Sequence, residues 1–147
     1  PDTHYKVMQA IHAAVEKYAA VMGRGRAPTI LGYRNVWYHF HPSEANVLIP
    51  VSLETLALMD RAFLNAFTSQ RQASFPSHEH DGPFCELARK IQVRQFEMLR
   101  TCLGEEWFRN HPEGVVRSAH GFVFMKEMTL KEFVRHSRAL RRLAEDK

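Results

Sequence analysis

Residues 3–22 read THYKVMQAIHAAVEKYAAVM and contain the most regular apolar pattern in the chain. Apolar side chains recur there in steps of three and four, the period that brings them to one face of an α-helix. Asp2 or Thr3 can cap the start of this helix, and Gly23 can end it in a left-handed conformation. A single apolar face predicts a helix that packs against a core or a second helix.

Three further segments have the same period and complete a prediction of four principal helices. The second helix begins at a Ser52 cap and runs to about Arg71, and the third covers about residues 83–103 and ends at Gly104. The fourth begins at Thr129, which has the capping-box spacing to Glu132. The second helix is apolar over more than half of its surface, which is typical of a central helix.

Two stretches between the helices leave alternatives open. Val36, Tyr38 and Phe40 alternate with Trp37, His39 and His41, which is a strand-like period of two. A short apolar run follows at 47–49, so residues 36–49 can form a small β-hairpin. A short helix capped by Ser43 is the alternative. Residues 115–127 contain short apolar runs that fit either strands or a buried helix.

The expected fold is therefore mainly α, with four helices in an orthogonal or bundle-like arrangement and room for a small β-hairpin. A length of 147 residues fits one domain, 1–147, and 45% hydrophobic residues suffice for a continuous core. No apolar run approaches the roughly 20 residues that a membrane span requires. Cys85 and Cys102 fall almost five turns apart on one predicted helix, so we expect free thiols and an intracellular, cytoplasmic location.

Two histidine pairs are the candidate metal ligands. They occur in His39-Phe40-His41 and His78-Glu79-His80, and residues two apart share a face only in an extended backbone. Four imidazoles could then hold Zn or another transition metal, with a nearby carboxylate as a further ligand. The alternative is that His39, His41, His78 and His80 are surface or core side chains and that the protein has no cofactor.

A basic face on the fourth helix is the candidate surface for a partner. The whole net charge of +4 comes from residues 83–147, and the last helix has arginines opposite its apolar face. Tryptophan and arginine dominate binding energy at protein interfaces. The predicted partner-binding residues are Arg135, Arg138, Arg141, Arg142 and Trp107.

The expected function is that of a non-catalytic helical binding or regulatory module that recognises a protein partner through this basic and aromatic surface. We name no catalytic residue, because the chain has no nucleophile-elbow motif and its cysteines fall on apolar helix faces. A metal-binding, histidine-rich enzyme or sensor is the first alternative. A nucleic-acid-binding domain that uses the basic C-terminal helix is the second, since clustered cations also bind phosphates. A homo-oligomer is also compatible with the sequence.

Overall fold

The computed structural model describes residues 2–22, 28–34, 40–75, 78 and 80–145. Most of these residues are helical, which confirms the predicted mainly α fold. The predicted four-helix bundle is not confirmed, because a three-stranded sheet accompanies the helices. In chain order the elements are α1 (Asp2–Met22), β1 (Ile30–Tyr33), β2 (Val47–Ser52), α2 (Leu53–Ala66), α3 (Phe84–Leu103), α4 (Glu105–Arg109), α5 (Gly114–Arg117), β3 (Ala119–Met128) and α6 (Leu130–Glu145).

The helix ends follow local signals in the sequence. Ser52 caps α2, since its Oγ accepts a hydrogen bond of 3.2 Å from the backbone N–H of Thr55. Gly104 ends α3 with a φ of 86°, a conformation that glycine adopts without a side-chain clash. The end of α2 differs from the prediction, because the helix stops at Ala66 and a short 3-10 turn follows at Thr68–Gln70.

The capping box predicted at the start of α6 is present. The Thr129 N–H donates to Oε2 of Glu132 at 2.9 Å, and the Glu132 N–H donates to Oγ1 of Thr129 at 3.2 Å. These two bonds pair backbone donors that a helix start would otherwise leave without partners. They fix the first turn of the helix that contains the predicted partner-binding arginines.

The sheet differs from the predicted hairpin over residues 36–49. β2 pairs antiparallel with β3, in register from Val47 opposite Met125 to Ser52 opposite Ala119. The alternative helix capped by Ser43 is wrong, because residues 42–44 form a turn and a strand follows. The other predicted arm covers residues 36–41. Residues 36–39 lie outside the described residues, and residues 40 and 41 are not in a strand. Over residues 115–127 the strand alternative is confirmed for β3, whereas the short helix α5 before it has no buried residue and is not the predicted buried helix.

Two compact units divide the chain, one from Tyr33 to Met125 and one from the flanking segments up to Gly32 and from Lys126. The larger unit has a core between α3, α4 and β3. Its buried members are Leu99, Phe108, Ala119, Phe122 and Phe124. A single domain over residues 1–147 stays a prediction.

Burial in the larger unit corrects two predicted apolar faces. α2 is not central, because Leu56 is buried whereas Leu53 and Leu58 are 61% and 57% exposed. On α3, Cys102 is exposed although its position predicts an inward side chain, and Cys85 is buried. Both thiols are free, as predicted.

The smaller unit contains α1 and α6 packed side by side. Nε2 of Gln9 donates to the carbonyl of Ser137 at 3.3 Å, and Glu16 forms an ion pair of 2.7 Å with Arg138. His12 makes an edge-to-face ring contact with Phe133, with the ring centroids 6.4 Å apart. Within the described residues, no helix combines the length and apolar character needed to cross a membrane.

Candidate functional site

An open groove of about 1390 Å³ lies on the smaller unit along α1 and α6, and we call it the α1–α6 groove. Its apolar lining is aliphatic and consists of Ala19, Leu130, Val134 and Ala139. Leu130 and Val134 are half-buried, because α1 covers the inner side of α6. The groove therefore offers apolar contact area on the surface of the smaller unit.

Charged side chains surround this apolar lining. Four of them are cationic and two are anionic: Lys131, Arg135, Arg138, Arg142, Glu16 and Glu132. The cationic positions follow steps of four, three and four along α6, so they share one face of the helix. The groove is consequently positive overall.

The anionic side chains are already engaged with other groups. Glu16 pairs with Arg138 at 2.7 Å. Glu132 accepts from the backbone N–H and the hydroxyl of Thr129, and these bonds lower the pKa of the Glu132 carboxyl below its ordinary value. Among the described residues, Lys131, Arg135 and Arg142 form no ion pair, so three exposed cations are available to an anionic ligand.

The predicted partner-binding residues separate into groups. Arg135, Arg138 and Arg142 line the groove. Arg141 does not, and its Nε bonds Oε1 of Glu145 at 2.7 Å along the same helix. Trp107 belongs to the larger unit, where its ring packs 4.9 Å from Phe108 and 4.6 Å from His111 and is 42% exposed. Lys131 and the aliphatic lining were not among the predicted partner-binding residues, although the spacing from Lys131 to Arg135 indicates a shared face.

A row of three polar side chains connects the two helices of the smaller unit. Oγ of Ser137 lies 2.9 Å from Nδ1 of His12, and Nε2 of His12 lies 3.1 Å from Oε2 of Glu16. A hydroxyl, an imidazole and a carboxylate in this order resemble a nucleophile with its base and orienting acid. Ser137, however, is 1% exposed and lies in the middle of a helix whose N–H groups are bonded within it. A substrate cannot reach that hydroxyl. These polar side chains instead hold α1 against α6.

Two of the candidate metal ligands, His41 and His80, lie close to polar side chains of their own segments. Nδ1 of His41 lies 2.8 Å from the Ser43 hydroxyl, and Nε2 of His80 lies 3.3 Å from Oε2 of Glu86. His78 is exposed, and His39 and Glu79 lie outside the described residues. Within the part of the chain that the structure describes, no three His, Cys, Asp or Glu side chains gather to hold a metal ion. The four-histidine site stays a prediction.

A second concave feature lies in the larger unit between α2 and α3, and we call it the α2–α3 cavity. It has a volume of about 120 Å³. Its apolar and thiol lining comes from Leu56, Met59, Phe63, Phe84, Cys85 and Ala88. The sequence analysis treated these residues as ordinary core positions, since cavities leave no periodic pattern in a sequence.

Three polar residues complete the lining of this cavity: Asp60, Arg89 and Gln92. Nη1 of Arg89 donates to Oδ2 of Asp60. Burial nevertheless raises the pKa of the Asp60 carboxyl, and the opposing effect of Arg89 is smaller. Burial also raises the pKa of the Cys85 thiol, and the charge of Asp60 adds to that effect, so the thiol is the stable form.

Comparisons with known proteins do not assign a family to this chain. No family model matches the sequence, and neither curated proteins nor solved structures give a match. The groove and the cavity are consequently the features from which a function can be proposed.

Proposed function

We propose that the protein is a binding module and that its α1–α6 groove binds an acidic, partly aliphatic segment of a partner protein. The observation that carries this proposal is the set of three exposed cations without ion pairs beside an aliphatic lining. An amphipathic acidic helix matches both properties, because its apolar face can lie on Val134 and Leu130 while its carboxylates meet the arginines. The face of α6 from Leu130 to Arg142 is about 18 Å long at 1.5 Å per residue, which corresponds to about three turns of a bound helix.

The lining favours a protein segment over nucleic acid. Single-stranded nucleic acids bind where aromatic side chains stack on bases. The groove has no aromatic lining residue among the described ones, and its apolar surface is aliphatic. Binding of nucleic acid is therefore one of the outcomes that the test below distinguishes.

Charge reversal tests the proposal. The probe is a fluorescein-labelled helical peptide of about 14 residues with Leu at i, i+3, i+4 and i+7 and Glu on the opposite face. We expect the Arg135→Glu/Arg142→Glu variant to bind at least about tenfold more weakly, because two attractions become repulsions. Binding by the unchanged protein should also weaken as salt rises, since the cations are exposed.

The matched control carries the same charge change elsewhere. Arg141 pairs with Glu145 outside the groove and Arg109 is exposed in the larger unit, so Arg141→Glu/Arg109→Glu also changes the net charge by four. We expect this control to keep most of the affinity for the peptide. If both variants lose the same affinity for the peptide, the effect comes from net charge alone. That result would contradict binding at the α1–α6 groove. Tighter binding of a labelled oligonucleotide than of the peptide would replace the proposed partner class with nucleic acid.

A further inference from the structure

The α2–α3 cavity lies in the larger unit and shares no lining residue with the α1–α6 groove. Gln92 lines this cavity and is only 9% exposed. Its Oε1 atom is buried and accepts no hydrogen bond from any described residue. Native proteins rarely leave a buried acceptor without a partner, because the carbonyl has lost its hydration and gained nothing in return.

The position of Gln92 follows from close helix packing. A Cβ atom on Gly121 of β3 would lie 3.3 Å from Cβ of Gln92 and 3.4 Å from its backbone carbonyl, so α3 approaches β3 closely here. Gln92 therefore cannot shift toward β3. Its Oε1 atom exposes less than 1 Å² of surface, so a ligand in the cavity reaches this oxygen only after the terminal amide turns. Its terminal amide turns easily, since the last torsion of glutamine has a broad energy profile.

The remaining lining defines what could fill the cavity. Leu56, Phe63 and Phe84 supply apolar contact area, and the ring centroids of Phe63 and Phe84 lie 5.6 Å apart. Asp60 and Arg89 pair with each other, so the cavity has no unpaired charge to bind an ionic ligand. An apolar cavity of about 150 Å³ in another protein binds benzene, and the volume of about 120 Å³ here is comparable.

We infer that the α2–α3 cavity is a binding site for a small, neutral, mostly apolar molecule that donates one hydrogen bond to Gln92. Small phenols and compact branched alcohols belong to this class. Such a ligand removes apolar surface from water and gives the buried carbonyl its missing partner. This arrangement, with an apolar lining and one or two placed polar groups, is the usual design of small-molecule sites.

A pair of probes of nearly equal shape tests the hydrogen bond. Phenol and toluene differ by a hydroxyl in place of a methyl group, and each is titrated at millimolar concentration while amide NMR signals of α2 and α3 are followed. We expect phenol to bind at least about fivefold more tightly than toluene, since only phenol can donate to the carbonyl. In Gln92→Leu, which keeps the side-chain size, this preference should disappear or reverse.

The cavity itself is tested by filling it. Ala88 lines the cavity and Ala62 is an exposed position of α2 outside the lining, so Ala88→Met and Ala62→Met form a matched pair. We expect Ala88→Met to abolish phenol binding and Ala62→Met to leave it unchanged. Circular dichroism of each variant establishes that the helices are intact before binding is compared.

The buried thiol supplies a second readout. In a Cys102→Ser background, Cys85 is the remaining cysteine of the chain, and it lines the cavity. Methyl methanethiosulfonate transfers its methylthio group (CH3S) to the Cys85 thiolate. A disulfide bond forms as the S–S bond of the reagent breaks, and methanesulfinate leaves. We expect saturating phenol to slow this reaction several-fold. If phenol neither shifts the α2 and α3 signals nor slows the thiol reaction, the cavity holds water only and the inference is overturned. Equal binding of phenol and toluene overturns it as well.

Discussion

The hydroxyl of Ser137 lies 2.9 Å from Nδ1 of His12, and both side chains are buried although they are 125 positions apart in the chain. Ser137→Ala leaves a nitrogen of the His12 ring without its partner, so we expect a loss of about 1–3 kcal/mol in the free energy of unfolding. Urea denaturation of the variant measures this loss. Ser118→Ala, at an exposed position, is the control and should change stability by less than about 0.5 kcal/mol.

The same pair should be energetically coupled. Combining Ser137→Ala with His12→Leu removes both partners, and the cost of the second change should fall by about 0.5–3 kcal/mol when the first is already present. The four denaturation curves of the double-mutant cycle give this coupling directly. Strict additivity would mean that the hydrogen bond contributes nothing to the contact between α1 and α6.

Gly121 faces α3 so closely that a methyl group does not fit without movement. Gly121→Ala places a Cβ 3.3 Å from Cβ of Gln92, and we expect it to lower the free energy of unfolding by about 1–3 kcal/mol. Gly114→Ala is the matched control, because its nearest neighbour is the flexible end of Arg117 at 3.5 Å. That control should be neutral or stabilising by up to about 1 kcal/mol, since alanine favours helix. A neutral Gly121→Ala would show that β3 can shift away from α3.

Glu132 should make the stability of α6 depend on pH. Hydrogen bonds from Thr129 lower the folded-state pKa of this carboxyl, so the folded state holds its proton less tightly than the unfolded chain does. The stabilisation is complete above the unfolded pKa of about 4.3 and is lost as pH falls through the lower folded pKa. Thermal unfolding by circular dichroism from neutral pH to about pH 3 measures this loss. Glu132→Gln should show a smaller decrease, and an unchanged pH profile would contradict the capping role.

Phe124 is the most deeply buried large side chain, at 2% exposure, and it belongs to the core of the larger unit. Phe124→Ala should cost about 3–5 kcal/mol, because it removes a fully packed ring and leaves a cavity. Phe67→Ala provides the comparison at 55% exposure and should cost far less. Chemical denaturation decides between these expectations, and similar costs for the two variants would argue against the core as described.

The prediction of one domain also has a direct test. Trp107 packs on Phe108 in the larger unit, so in a Trp37→Phe background tryptophan emission reports that unit, whereas hydrogen exchange in α6 reports the smaller one. A single domain predicts that emission and α6 protection are lost at the same urea concentration. Separate transitions would mean that the two units fold independently.

Features that depend on near neighbours in the chain were predictable from the sequence. The cap at Ser52, the capping box at Thr129 and the stop at Gly104 each need only residues three or four positions away, and all three are present. The apolar pattern likewise predicted the helix α1, although its packed face centres on His12 and leaves Ile11 and Tyr18 nearly half exposed. Such signals are local, so tertiary structure has little opportunity to override them.

Features that depend on distant parts of the chain were not predictable. Val47 of β2 pairs with Met125 of β3, and nothing near Val47 indicates a partner so far away. Gln92 is buried and Cys102 is exposed, although their polarity predicts the reverse. For the candidate site, the arginines of α6 were foreseeable from helix periodicity. The aliphatic lining of the groove was not, because it depends on how α1 lies against α6.

The two helices of the smaller unit come from opposite ends of the sequence, and this has a consequence during translation. A ribosome adds roughly 5–20 residues per second, so the 125 positions between His12 and Ser137 take about 6–25 s to synthesise. For that interval the nascent α1 has no α6 against which Gln9 and His12 can pack. The smaller unit can therefore assemble only after the whole larger unit has been synthesised.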